Sequence, residues 1–99
     1  MPDNEYQSVV RPILKWIAAQ RDCKAINIHG SVYMERGTPD IIGCCRGRMF
    51  LFECKATKGK LRPDQRVRIR QWRESGAIAE EIRTLEEAQS VIDKIRSSI

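Results

Sequence analysis

The sequence predicts an α/β fold, a central mixed sheet flanked by helices in the order α-β-β-β-α-β-α, as one domain over residues 1–99. Three observations predict it. Apolar residues recur at helical spacing at both ends of the chain, two short apolar runs flank Arg46-Gly47-Arg48, and a helix bounded by Pro63 and Gly76 separates those runs from a further short apolar stretch. A hairpin followed by helix, strand and helix yields a sheet that needs helical cover.

From residue 4 to about 21, Tyr6, Val9, Val10, Ile13, Trp16 and Ile17 share one helical face, with Glu5 at its edge one turn before Val9. Residues 24–28 and 32–34 read as short strands around Gly30-Ser31, a first β-ribbon. Gly37-Thr38-Pro39 signals a turn, and 41–45 and 49–54 then form a hairpin. With Arg46 and Gly47 as a two-residue turn, paired residues sum to 93 and Asp40 lies opposite Glu53. Their Cβ atoms would be about 5 Å apart on one sheet face, and strand alternation adds Lys55 to that face. Arg46-Gly47 is a poorer type I′ turn than Asn-Gly, and a slip of one residue would part the two carboxylates. Ile42, Met49 and Leu51 make one face apolar and Ile41, Phe50 and Phe52 the other, so the sheet is predicted to be covered on both sides.

Beyond the polar loop 56–62, Pro63 opens a helix running to about 75, with Gly76 as its left-handed cap. Gln65, Ile69 and Trp72 form one stripe of it; Arg66, Arg70 and Arg73 form another, roughly 100° round. Residues 77–82 read as a strand. Thr84 with Glu87 makes a capping box for a last helix, 85 to about 96, packed through Ala88, Val91, Ile92 and Ile95.

With 41% hydrophobic and 31% charged residues the composition is globular. At this size folding removes only about two-thirds of the unfolded surface from water, so a second subunit would help. No apolar run reaches the roughly 20 residues that span a bilayer, and Met1-Pro2-Asp3-Asn4-Glu5 lacks the order of a signal peptide. No membrane partner is expected, and residence in the cytoplasm, on a nucleoid or in a virus-infected host cell's cytoplasm follows. Cys23, Cys44, Cys45 and Cys54 are then expected to be reduced. Zinc is disfavoured: there is no C-x-x-C pair, and adjacent Cys44 and Cys45 would point to opposite faces of a strand. The lone His29 excludes paired-histidine chemistry, and Trp16 and Trp72 fall on apolar stripes rather than on base-stacking platforms.

The net charge is +5, and residues 46–73 hold ten Lys or Arg against two acids, while the remainder holds eight against eleven. A regional excess suits a polyanion, whose counterions it would release; a solvated surface gives the same count. Phosphodiester hydrolysis needs an activated water, charge stabilisation at phosphorus and help for the leaving alkoxide. Two close carboxylates, Asp40 and Glu53, suit Mg²⁺, and Lys55 beside them is placed to stabilise developing negative charge. The competing reading has Asp40 capping a turn and Glu53 with Lys55 as an exposed pair. Agreement between register, face and local charge favours the catalytic one.

Gly37-Thr38-Pro39-Asp40, then Phe52-Glu53-Cys54-Lys55, then Gly59, Leu61, Pro63 and Gln65, then Gly76, resembles the VRR-NUC branch of the PD-(D/E)XK nuclease superfamily. The resemblance implies a minimal restriction-endonuclease-like core and Mg²⁺ or Mn²⁺ as cofactor. It implies Asp40, Glu53 and the Cys54 backbone carbonyl as metal ligands, with Glu5 completing the acidic cluster, and Lys55 and Gln65 as catalytic residues. Cys54 departs from the aliphatic residue common there; its side chain should face away from the site. Glu5 and Gln65 also have local explanations, as an acid favoured by a helix dipole and as a helix-start side chain bonding loop backbone. Stand-alone relatives imply a homodimer acting on branched DNA such as Holliday junctions, gripped by Lys58, Lys60, Arg62, Arg66, Arg70 and Arg73. A nuclease on ordinary duplex or flap DNA, and a catalytically silent basic DNA-binding module, stay as alternatives.

Overall fold

The computed structural model describes residues 4–28 and 34–98. Asn4 starts the first helix, its Oδ1 accepting from the amides of Tyr6 at 3.0 Å and Gln7 at 3.3 Å. The helix opens with a π-helical segment, Tyr6–Val10, and continues as α1, Arg11–Ala18. The sequence predicts one uninterrupted α-helix to about residue 21, and Pro12 explains the difference. Its ring lacks an N–H and would press on the carbonyl of Ser8 in a regular helix, whereas widening the preceding turn, with the Arg11 amide donating to the Tyr6 carbonyl, removes that conflict. The helix stops at Ala18, where Gln20 folds back to donate from Nε2 to the Trp16 carbonyl at 3.2 Å.

Four strands follow the predicted order: β1 (Cys23–Asn27), β2 (Ile41–Cys45), β3 (Arg48–Cys54) and, after helix α2 (Pro63–Glu74), β4 (Ile78–Ile82), with helix α3 (Leu85–Ser97) last. They lie side by side in chain order as a mixed sheet: β1, β2 and β3 are antiparallel, and β4 is parallel to β3 through the α2 crossover. Strand β1 pairs with β2 along its whole length. Of the β-ribbon expected from sequence, the first strand is present as β1 and Met34 lies in a bend, while residues 29–33, His29 among them, fall outside the described residues.

The hairpin keeps the predicted register, with Ile41 against Phe52 and Cys45 against Arg48. Its two turn residues both take positive φ, Arg46 at 51° and Gly47 at 82°. That is the type I′ geometry whose twist matches antiparallel strands, so the arginine accepts a conformation that asparagine would adopt more cheaply.

β3 is buried on both faces, and the two cores lie on either side of it. Phe50 and Phe52, with ring centroids 4.8 Å apart, pack with Ile13, Ile17, Ile92 and Ile95 beneath α1 and α3. Leu51 packs with Ile69 and Ala79 beneath α2, with Ile42 and Met49 alongside. Trp16 and Trp72 are half-buried against these two cores, one on each. The capping box on α3 is present, Thr84 Oγ1 accepting from the Glu87 amide at 3.1 Å. No helix of the described residues is long and apolar enough to cross a membrane.

Truncating Phe52, which is fully buried, to alanine removes a ring from the larger core without a way for the sheet to close the gap. A loss of about 3–5 kcal/mol in unfolding free energy is expected by urea denaturation.

Candidate active site

Continuing the β2–β3 ladder one step past Ile41 and Phe52 sets Asp40 opposite Glu53. Asp40 is fixed by two backbone donors: the Cys54 amide donates to Asp40 Oδ2 at 2.8 Å, and the Ile28 amide donates to the Asp40 carbonyl at 2.7 Å. Asp40 is thus held from both neighbouring strands. Lys55 follows on the same face, its own amide donating to the Ile82 carbonyl of β4 at 3.0 Å and its Nζ 3.9 Å from Glu53 Oε2.

Among the described residues the buried polar side chains are Glu53 at 2% exposure, Lys55 at 7% and Gln65 at 6%. All three were singled out from sequence. They open with Glu5, Asp40 and Arg62 onto a cleft of about 770 Å³. Gln65 has the local role as well: its Oε1 accepts from the Arg62 amide at 2.9 Å and caps α2. The Cys54 side chain is buried in the opposite core, facing away from the cleft as expected.

The electrostatics of the carboxyl pair are unbalanced. Burial, then a hydrogen bond and repulsion from Asp40, push Glu53 from its ordinary 4.5 up to about 9, with Lys55 opposing and Glu5 adding to the rise. Glu53 Oε1 is buried without a hydrogen-bond partner. The bare site therefore holds Glu53 protonated with an unused hard oxygen donor, and a divalent cation displacing that proton would engage both carboxyls. The donor set therefore fits Mg²⁺ or Mn²⁺.

The turn carrying Asp40 is docked on α2. Gly37 has φ of 87°, and a Cβ there would lie 2.6 Å from the Asp64 carbonyl oxygen, so the glycine answers both a left-handed backbone and a close approach. Thr38 Oγ1 donates to the Glu35 carbonyl at 2.6 Å, Arg68 Nε donates to the Arg36 carbonyl at 3.0 Å, and Arg68 pairs with Glu35 at 3.1 Å.

The basic segment is divided by the fold. Arg46 and Arg48 stand at the hairpin tip, roughly 15–20 Å of strand away from Asp40 and Glu53, and Arg46 pairs with Asp22 at 2.9 Å. Arg66, Arg70 and Arg73 share a separate groove beside β4. Arg70 sits 3.8 Å from Glu74, while Arg73 donates to the Ala79 carbonyl at 2.7 Å and pairs with Glu80 at 2.9 Å, which ties α2 to β4. Lys58 and Lys60 are exposed on the loop after Lys55 and do not line the cleft. The cleft's cations among the described residues are Lys55, Arg62 and Arg36.

Arg36 was not identified from sequence, because it lies outside the basic run; its neighbour Gly37-Thr38-Pro39-Asp40 was the available signal. Arg36 and Arg62 both pair with Asp64, at 3.2 and 3.1 Å, which holds that carboxyl below its usual range. Arg83 is a second residue missed. It donates to the Ala56 carbonyl at 2.8 Å and pairs with Glu81 at 3.0 Å, bracing the loop that leaves Lys55. A third grouping, Asp22 with Cys23 and Cys45, brings three potential ligand atoms within 4.8 Å of one another, away from the cleft.

A solved structure described as a "VRR_NUC domain protein" superimposes on this chain with a TM-score of 0.71 at 16% identity, over 95% of this chain and 89% of that one. The fold is that of a VRR_NUC domain. The resemblance drawn from the motifs therefore holds for the architecture. No family model and no curated protein matches the sequence.

Two outcomes are expected. Folding raises the Glu53 pKa, so the folded chain keeps a proton that the unfolded chain loses above about 4.5. The Glu53 contribution to stability is then present below about 4.5 and declines as pH rises toward about 9. In chelator, Glu53→Gln should gain on the wild type across that window, read from urea midpoints at successive pH values. Gly37→Ala should cost about 1–3 kcal/mol through backbone strain and the Asp64 contact, measured the same way.

Proposed function

We propose that this chain is a metal-dependent nuclease that hydrolyses phosphodiester bonds in DNA. The observation that carries the reading is the convergence of Asp40, Glu53, Lys55 and Gln65 in one cleft, with Glu53 Oε1 buried and unpartnered. Asp40 and Glu53 would hold Mg²⁺ or Mn²⁺, with the Cys54 carbonyl and Glu5 as further ligands. When bound, the ion supplies Lewis-acid charge stabilisation and a water of lowered pKa. Lys55, kept close by Glu53, is placed to stabilise negative charge on the scissile phosphate. Gln65, rigid because its Oε1 caps α2, presents its amide NH₂ to orient water or phosphate. Arg36 and Arg62 flank the mouth and would position the neighbouring phosphates.

The fold shared with a VRR_NUC domain supports this reading, as does the basic loop bearing Lys58 and Lys60, which carry no ion pair among the described residues. The groove of Arg66, Arg70 and Arg73 offers a second contact with the DNA backbone, the last two arginines weakened for this by their pairs with Glu74 and Glu80. A homodimer selective for branched DNA is the finer proposal. Ile26 on the edge strand β1 is 53% exposed beside Ile42, Cys44 and Met49, an apolar face that supports self-association.

Four-way junction, flap, nicked and linear DNA offered with Mg²⁺ or Mn²⁺ should be cut to 5′-phosphate and 3′-hydroxyl products, fastest at the junction, and chelator should stop the reaction. Lys55→Ala should lower the rate by about 10²–10³-fold and Asp40→Ala should reduce it to background. No product from any substrate, or full activity in Asp40→Ala, would sink the assignment. A monomer mass at micromolar concentration would remove the dimer.

A further inference from the structure

Cys23 and Cys45 face one another across β1 and β2 as direct register partners, with their sulfur atoms 2.8 Å apart. Their place in the ladder follows from its hydrogen bonds. The Arg46 amide donates to the Asp22 carbonyl at 3.2 Å and the Ile28 amide to the Asp40 carbonyl at 2.7 Å. Those couples are hydrogen-bonded pairs of the same register, and alternation makes Cys23 and Cys45 a non-hydrogen-bonded pair. Such pairs bring Cα atoms to about 4.5 Å, within the roughly 4.4–6.8 Å that a disulfide spans. The sulfurs are already well inside ordinary nonbonded contact.

A thiophilic metal is a poorer occupant. Two thiolates on one tetrahedral zinc, each about 2.3 Å from the ion, stand about 3.8 Å apart. The third potential ligand is also engaged: Asp22 Oδ1 accepts from Arg96 at 2.7 Å, and Oδ2 accepts from Arg96 and Arg46, each at 2.9 Å. Neutral thiols joined directly need no further ligand.

We propose that Cys23 and Cys45 are a site of covalent modification, closing to an intramolecular disulfide by exchange with a small disulfide oxidant such as oxidised glutathione. Cys23 is the accessible member and Cys45 is fully buried. The Cys23 sulfur gives up its proton and attacks one glutathione sulfur; the glutathione disulfide breaks and one glutathione leaves as thiol. The Cys45 sulfur then gives up its proton and attacks Cys23 Sγ, breaking the mixed disulfide and releasing the second glutathione. Two protein thiols are oxidised and one glutathione disulfide is reduced to two thiols. Burial and hydrogen bonds with Cys45 and Asp22 push the Cys23 thiol up to about 12, so the reduced pair is stored protonated and exchange is slow at neutral pH. The new bond would fasten edge strand β1 to β2 at the end of the sheet remote from the cleft, in the register that also brings Ile28 to Asp40. The proposal is independent of the nuclease reading.

The test is made on the intact chain brought to equilibrium in glutathione buffers, alkylated, digested and mapped by mass spectrometry. In oxidising buffer the Cys23 and Cys45 peptides should be joined, two hydrogens lighter than their sum, while Cys44 and Cys54 are alkylated. The joint should persist in Cys44→Ser and vanish in Cys23→Ala, a half-buried position where the change spares the fold. Pairing with Cys44 or Cys54, dimers linked through exposed Cys44, or full alkylation of Cys23 and Cys45 where oxidised glutathione predominates would overturn the proposal. So would stoichiometric zinc on the purified wild type that Cys23→Ala loses.

Discussion

Asp40 and Glu53 are distant in sequence, and the pairing register of β2 with β3 makes them neighbours. That register is set at the far end of the hairpin, where Arg46 and Gly47 both take positive φ and allow only two residues in the turn. A shift of one residue would send Asp40 past Glu53 and would turn Ile41 and Phe52 out of their core. The apolar faces and the carboxyl pair therefore enforce one alignment: the cores supply the energy that holds it, and the cleft receives the geometry.

What the alignment creates is electrostatically costly. Glu53 is nearly sealed from water beside another carboxyl, and Lys55 at 3.9 Å compensates only in part. Burial makes the charged form of Glu53 costly, so the carboxyl keeps its proton until something returns the lost solvation. A fold that keeps such a cluster concentrates unmet bonding capacity at one point on its surface. The same physics that destabilises the bare site makes it receptive to a cation and, through the cation, to a phosphate.

Helix α2 is the second organiser. One of its faces packs Ile69 into the smaller core; its first turn places Gln65 in the cleft; and its N-terminal carbonyl at Asp64 seats Gly37, so that the turn before Asp40 rests on the helix. Asp64 itself collects Arg36 and Arg62 at the rim. Residues from the loop before β2, the end of β3 and the start of α2 thus meet because each is anchored to the others, which explains how a small chain holds several polar groups in register without a large core.

The continuous apolar runs of β2 and β3, the stripes of α2 and α3, and the Thr84 and Glu87 box are local patterns, and by itself the sequence determined them. It therefore also determined the mixed sheet's helical cover and the face shared by Asp40, Glu53 and Lys55. Contacts between distant segments carry no periodic signature, and those only the tertiary structure decided. Strand β1 chose β2 as its partner, Arg36 joined the cleft from outside the basic run, and Cys23 met Cys45. The basic run itself was separated, since its arginines at the hairpin tip and on α2 belong to one basic stretch of sequence but lie at different ends and sides of the sheet. The conflict at Pro12, legible only as a proline in a helical pattern, was settled by opening the preceding turn because Val9 and Val10 had to reach the core.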